Sequence, residues 1–337
     1  MINLLNNPTF NNERNILNAD LFVNNLKNTL KAFKFNTKVT YEVYRQVTIY
    51  HITWTDDKNY GDILKLNKEI ALSLGIPKEE LVIKKISDNE VEIKVQNMKK
   101  EPLTLKELLS DFKKDNNFKV ALGLDERDNI ITFDFDKDKS LLVTGVSGIG
   151  KTNLFRNIIM NILINYHDTK ILVLDSQGIN YNDFNSVCEV VNDEKEIINT
   201  IKSLRKEFEN RVKTGNKERL VVFIDEIYEI LEIDNSIDED INYLLELGSM
   251  TNIHLIVSTD TITTKDISRI FDNDNISKLS FYQTSREEYN MFLDTVVKES
   301  LNNDGIYLNT KKEVTRIIIP LIKDDEISRI VAKSKEK

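Results

Sequence analysis

The spacing of apolar and polar positions divides the chain into a short first part and a longer second part. From Asp20 to Phe33 the residues Leu21, Phe22, Leu26 and Leu30 recur at helical spacing. Residues 39–54 alternate instead and are dense in Val, Ile, Thr and Tyr, a composition that favours strands. Residues 61–74 return to a helical face of Ile63, Leu66, Ile70 and Leu74. Pro77, with no N–H and a fixed φ, stops that helix. Residues 81–86 and 91–95 read as two short strands joined by Ser87-Asp88-Asn89. These patterns predict a small α/β domain over residues 19–102, led in by an asparagine-rich, poorly ordered arm over residues 1–18.

A connecting helix is expected in the 103–118 segment, with Thr104 as its N-cap. The pattern then changes over residues 119–337. Short apolar runs at 141–144, 170–174, 220–224, 254–258 and 278–282 alternate with helical segments. Strands that alternate with helices imply a mainly parallel sheet covered on both faces. A last pair of runs, 305–309 and 314–321, is expected to add antiparallel edge strands.

One segment carries clear chemistry. Gly145-Val146-Ser147-Gly148-Ile149-Gly150-Lys151-Thr152 matches G-x-x-x-x-G-K-[ST] in full, between an apolar strand and a helix, and these residues with Asn153 are the candidate nucleotide-binding set. Glycines let backbone N–H groups turn inward around phosphate oxygens, and the helix N-terminus adds partial positive charge. Lys151 is expected to reach the β and γ phosphates of ATP, and the Thr152 hydroxyl to ligate Mg²⁺. The run Leu220-Val221-Val222-Phe223-Ile224 ends in Asp225-Glu226, the pattern of a Walker B strand. Asp225 would hold the magnesium shell and Glu226 would orient or deprotonate the attacking water. Thr259 is a candidate γ-phosphate sensor, and Asp175 and Asp260 also sit at expected strand ends. Strand C-terminal ends face the ligand crevice in such folds, although all three could be plain polar strand ends.

Composition narrows the picture. The chain has 337 residues, 40% hydrophobic and 30% charged, which suits a globular protein. No apolar run approaches the ~20 residues of a membrane-spanning helix. Met1 to Phe10 lacks the basic and apolar regions of a secretory leader, so a cytoplasmic chain is expected. Cys188 is the single cysteine, and His51, His167 and His254 lie far apart, which excludes an internal disulfide and a Cys/His zinc motif. The net charge of −9 argues against a protein that coats nucleic acid through a basic surface.

Across roughly residues 38–333 the sequence resembles the FtsK/SpoIIIE motor family. The likeness is carried by Val120 to Asp125 and Leu141 to Gly145 before the glycine motif, and by Val191 to Arg211 before the acid pair. Asn252 to Thr259, Ser285 to Asp294 and Asp324 to Ile327 carry it further. Tyr60 to Asn97 is similar to the family's smaller β domain. The resemblance implies a RecA-like P-loop ATPase domain after that smaller domain. It also implies a homo-oligomeric, hexameric ring with double-stranded DNA in its pore. The membrane anchor and the C-terminal winged-helix domain of some members are not expected here. Ser249 stands where members commonly place an arginine that reaches the neighbouring subunit's nucleotide; Arg211, Arg269, Lys278 and Arg286 are candidate substitutes. The paired bases Lys84-Lys85, Lys99-Lys100 and Lys113-Lys114 are candidate DNA contacts or solvated faces. Two other readings stay open: an ATPase that moves polypeptides, and an ATP-binding ring subunit that hydrolyses little.

Overall fold

The computed structural model describes residues 1–8, 12–98, 100–262, 269–270, 276–283, 286–293 and 304–336; for 286, 287, 289 and 291 it describes the backbone only. The chain forms two compact units. One comprises 9–102 and 126–129, the other 1–8, 103–125 and 130–337.

In the smaller unit the elements run α1 (Glu13–Ala32), β1 (Thr37–Val43), β2 (Val47–Trp54), α2 (Tyr60–Lys65), α3 (Asn67–Leu74), β3 (Val82–Ser87) and β4 (Glu90–Gln96). The strands pair antiparallel in the order β1-β2-β4-β3. One sheet face buries Tyr50, Ile52, Trp54 and Ile93 against Leu26, Leu30, Ile70 and Leu74 of the helices. Two expectations are corrected here. Helix α1 begins at Glu13, and its buried stripe is Asn15, Ala19, Val23, Leu26 and Leu30, whereas Leu21 is 57% exposed. Asparagine and alanine at inward positions had hidden the helical period. The expected helix over 61–74 is two helices broken at Leu66, the first held by a capping box between Asn59 and Asp62.

The larger unit contains α4 (Leu105–Asp111), β5 (Lys119–Leu124), β6 (Ile130–Asp134), α5 (Phe135–Asp138), β7 (Leu141–Thr144), α6 (Lys151–Asn165), β8 (Lys170–Asp175), β9 (Glu189–Val191), α7 (Glu194–Thr214), β10 (Leu220–Asp225), α8 (Ile227–Ile233), α9 (Asp238–Leu247), β11 (Ile253–Thr259), β12 (Ser277–Ser280), α10 (Arg286–Leu293), β13 (Gly305–Leu308), β14 (Val314–Ile317) and α11 (Asp324–Ser334). The sheet order is β14-β13-β12-β7-β11-β10-β8-β9. From β12 to β9 every pairing is parallel, and β13 and β14 add the antiparallel edge. Successive strand residues serve opposite faces, as the period of two requires. Val143, Val173, Phe223 and Ile256 pack with Leu154, Phe155 and Ile158 of α6. Leu142, Leu172, Val222 and Leu255 pack with Ile197, Leu204 and Leu244 of α7 and α9. This is the doubly covered α/β sheet that the alternating pattern predicts.

Residues 1–8 are tied down, unlike the loose arm expected of them. Leu5 is buried, Asn6 N–H donates to Glu326 Oε1 at 2.9 Å, and Arg329 Nε donates to Leu4 O at 2.7 Å. Thr104 caps α4 as expected, its hydroxyl accepting Glu107 N–H. Helix α6 carries an asparagine at every fourth position. Asn157 Nδ2 donates to Leu122 O at 2.9 Å, and Asn161 Oδ1 accepts Ala121 N–H at 3.2 Å, so buried amides serve the irregular backbone of β5. Cys188 is buried, and burial pushes its thiol up to about 12. Among the described residues no helix is long and apolar enough to cross a membrane.

Candidate active site

Parallel pairing brings the C-terminal ends of β7, β11, β10 and β8 to one edge of the sheet. Thr144 registers with Thr259, and Asp225 with Asp175. The glycine motif Gly145–Thr152 leaves β7 and enters α6 at this edge. Gly145 has φ +154, and a Cβ there would lie 2.7 Å from Phe281 Cβ, so a larger residue is excluded. Gly148 has φ +76 with open space where a Cβ would stand, which leaves the backbone approachable. Lys151 opens the helix and is 4% exposed. Its Nζ donates to Gly145 O at 2.7 Å and pairs with Glu226 Oε1 at 2.8 Å. The glycine motif and the acid pair, separate in sequence, therefore meet.

Glu226 holds a left-handed conformation, φ 55 and ψ 62, at the start of α8. Such a backbone costs a non-glycine residue of order 1–3 kcal/mol and persists only where its surroundings hold it. Here its N–H donates to Ser258 Oγ at 3.0 Å, and its Oε2 accepts Asp260 N–H at 2.9 Å. Burial raises the Glu226 carboxyl above its usual range, and the Lys151 ammonium opposes that rise. Asp225 is buried and shifted upward for the same first reason, opposed by hydrogen bonds from Ser258 and Tyr181. Asp175 is 1% exposed; its Oδ2 accepts Asn180 N–H at 3.0 Å, and its Oδ1 has no partner among the described residues.

Other expected site residues lie nearby with varied engagements. Thr152 is half-buried in the first turn of α6. Asn153 directs its amide to the chain beyond β14, donating to Pro320 O at 2.8 Å and accepting Ile322 N–H at 3.1 Å. Thr259 is fully buried and donates to Thr261 O at 2.9 Å. Sequence reasoning missed Tyr181, Ser258 and Gln283. Gln283 Nε2 donates to Thr144 Oγ1 at 2.9 Å behind the glycine motif. Ser258 had one usable signal, a hydroxyl at the end of an apolar strand. Tyr181 sits in an irregular loop, where no periodicity marks it.

The donor set fits a magnesium nucleoside triphosphate. It offers glycine backbone at a helix N-terminus, a buried lysine, a threonine hydroxyl, and a buried carboxylate beside an orphaned buried oxygen. The candidate trans cations differ in standing. Arg211 is 3% exposed and bonds Glu207, Glu218 O and Thr251 O, so it is an internal brace. Lys278 is buried in β12, its ammonium 5.6 Å from the centre of the Phe292 ring. Arg269 is largely exposed and pairs with Asp238 at 3.0 Å. The Arg286 side chain, Ser285, Asp294 and Lys99 lie outside the described residues. Ser249 is half-buried in the turn Gly248–Thr251. Of the basic pairs, Lys85 bonds Asp88, and Lys114 bonds Asn165 O.

The FtsK/SpoIIIE family model matches residues 109–297. DNA translocase FtsK of Staphylococcus aureus (strain Mu50 / ATCC 700699) is 26% identical over 345 residues, covering 91% of this chain and 44% of that protein. DNA translocase FtsK of Clostridium tetani (strain Massachusetts / E88) is 25% identical over 351 residues, covering 93% and 47%. The chain thus spans less than half the length of these relatives. Among solved structures, the pCW3 conjugation coupling protein TcpA, in its monomer form with ATPγS, aligns with a TM-score of 0.62 at 15% identity, over 93% of this chain and 99% of that one. The cytoplasmic domain of the Thermomonospora curvata Type VII secretion ATPase EccC aligns at 0.57 and 14% identity, over 69% and 34%. At such identities the structural likeness is one of fold. The match of the family model across more than half of the sequence, over a P-loop and acid pair joined in space, makes this chain a member of the FtsK/SpoIIIE family.

Proposed function

We propose that this chain is a cytoplasmic ATPase subunit that moves double-stranded DNA, working as a ring of copies, six by family analogy. The observation that carries the reading is the junction of Lys151 with Glu226 at 2.8 Å, at the mouth of the glycine motif. A nucleotide-binding switch has no need of a second acid there. A hydrolytic site needs a base beside the phosphate grip. The names of the FtsK relatives supply the DNA, and the family supplies the ring.

In this reading the Gly145–Gly150 backbone and Lys151 hold the phosphates, while Thr152 and Asp225 hold Mg²⁺. When bound, the metal neutralises phosphate charge and polarises the bond to be cleaved. Phosphate oxygens compete with Glu226 for the Lys151 ammonium. A lysine that turns to phosphate releases the glutamate to accept the proton of an attacking water. Thr259, on the strand between the P-loop strand and the Walker B strand, would register the terminal phosphate only by releasing the Thr261 carbonyl that its hydroxyl bonds at 2.9 Å.

The test is ATP hydrolysis with and without long duplex DNA at several salt concentrations. Stimulation by duplex is expected, weakening between about 50 and 200 mM salt as phosphate contacts are lost. Lys151→Ala is expected to abolish turnover. Hydrolysis indifferent to duplex DNA would remove translocation from the reading, and a normal rate in Lys151→Ala would remove the site.

A further inference from the structure

We propose that Tyr181 and Ser258 are positioning residues for the magnesium-holding acid, two buried hydroxyls that fix the Asp225 carboxylate and join it to Glu226. The inference rests on the hydrolytic reading above.

Each oxygen of Asp225 has one hydroxyl donor. Ser258 Oγ lies 2.6 Å from Oδ1, and Tyr181 OH lies 2.8 Å from Oδ2. The Ser258 bond has the short length of a charge-assisted O–H···O⁻ bond, and the Tyr181 bond is of ordinary O–H···O length. A lysine or arginine in either place would cancel the carboxylate's charge. Hydroxyls restrain its rotation without bringing a positive charge to it. Each carboxylate oxygen can accept about two bonds, so one donor apiece leaves lone pairs for a cation or its water. The arrangement therefore locks the acid without consuming it.

Ser258 does a second thing. Its oxygen accepts the N–H of Glu226 at 3.0 Å while its proton goes to Asp225. The two acids are thereby coupled through one hydroxyl, which also supports the left-handed backbone of Glu226. Tyr181 is held from behind. Its ring is fully buried, and the preceding Asn180 is fixed by Asp175 Oδ2 at 3.0 Å and by Arg156 Nη2 at 2.7 Å. Arg156 belongs to α6, the helix that Lys151 opens. Phosphate grip and metal acid are thus braced through one loop residue. Packing alone would be served by phenylalanine; a buried tyrosine hydroxyl requires a partner, and the partner here is the metal acid.

The experiment compares the 337-residue wild-type chain with Tyr181→Phe and Ser258→Ala. Metal-free ATPγS binding is measured first, then Mn²⁺ half-saturation with ATPγS by electron paramagnetic resonance, then kcat and KM for ATP. Losing a partner of a metal ligand lowers metal affinity about 10- to 100-fold. Each variant is expected to keep metal-free nucleotide binding, raise the Mn²⁺ half-saturation at least about 10-fold, and lose kcat with little change in KM. In an Asp225→Asn background, which removes the shared carboxylate, Tyr181→Phe is expected to change Mn²⁺ binding no further. Wild-type Mn²⁺ half-saturation in both single variants would overturn the proposal while leaving the ATPase reading intact. So would an undiminished effect of Tyr181→Phe in the Asp225→Asn background. A wild-type chain that binds neither ATPγS nor Mn²⁺·ATPγS would overturn the hydrolytic reading and this one with it. Should Tyr181→Phe fold poorly, Ser258→Ala carries the same expectation at the other oxygen.

Discussion

Glu226 concentrates several demands in one residue. It has a left-handed backbone, a partly buried carboxylate and a lysine partner at 2.8 Å. As a base it must be ionised, and burial holds its pKa above the ordinary 4.5. Turnover should therefore fall as pH drops through that raised value, so the acid limb of kcat/KM is expected above 4.5. An acid limb at or below 4.5, or unchanged phosphate release in Glu226→Gln with ATP still bound, would take Glu226 out of the chemistry. At this scale much was legible. Lys151, Thr152, Asp225 and Glu226 stand out as candidates from two motifs, and the structure brings two of them, Lys151 and Glu226, together. Tyr181 was not legible, since a loop residue that serves another residue's carboxylate leaves no spacing to read. Nor was the tether made by Asn153, whose partners lie near residue 320.

Among the elements, strands β7, β8, β10, β11 and β12 of the parallel sheet were the most readable, because buried strands have no polar face to blur their limits, whereas the short edge strand β9 left no apolar run to read. Helix α1 was harder, since Asn15 and Ala19 occupy inward positions that periodicity reserves for larger apolar residues. The same habit recurs in α6, where Asn157 and Asn161 are fully buried. They follow the helical period but carry amides, because β5 presents backbone groups that a neighbouring strand does not take up. Truncating a buried amide orphans its partner at a cost of about 1–3 kcal/mol. Asn157→Ala and Asn161→Ala are each expected to lower the unfolding free energy by about that much in urea. The double variant should lose less than the sum, because the two amides share a bond at 2.9 Å. Strict additivity would show that the ladder acts as separate residues.

For the whole molecule, the change of pattern near residue 103, where the two units part, was visible in the sequence. The return of 126–129 to the smaller unit was not, because four polar residues between two strands look like any hairpin turn. Under the proposed function, a net charge of −9 would leave DNA contact to few residues, and no Lys/Arg cluster in the sequence marks them. The buried Cys188 has a use at this scale. A thiol held near 12 and packed in the core of the larger unit should ignore maleimide at neutral pH while the chain is folded. Uptake of the reagent is expected only as urea opens that core, so its rate becomes a clock for unfolding; rapid uptake without urea would place the thiol at the surface. A single cysteine introduced at exposed Met250, 62% accessible, could then carry a fluorophore with the native residue left in place, ready for watching individual molecules at work.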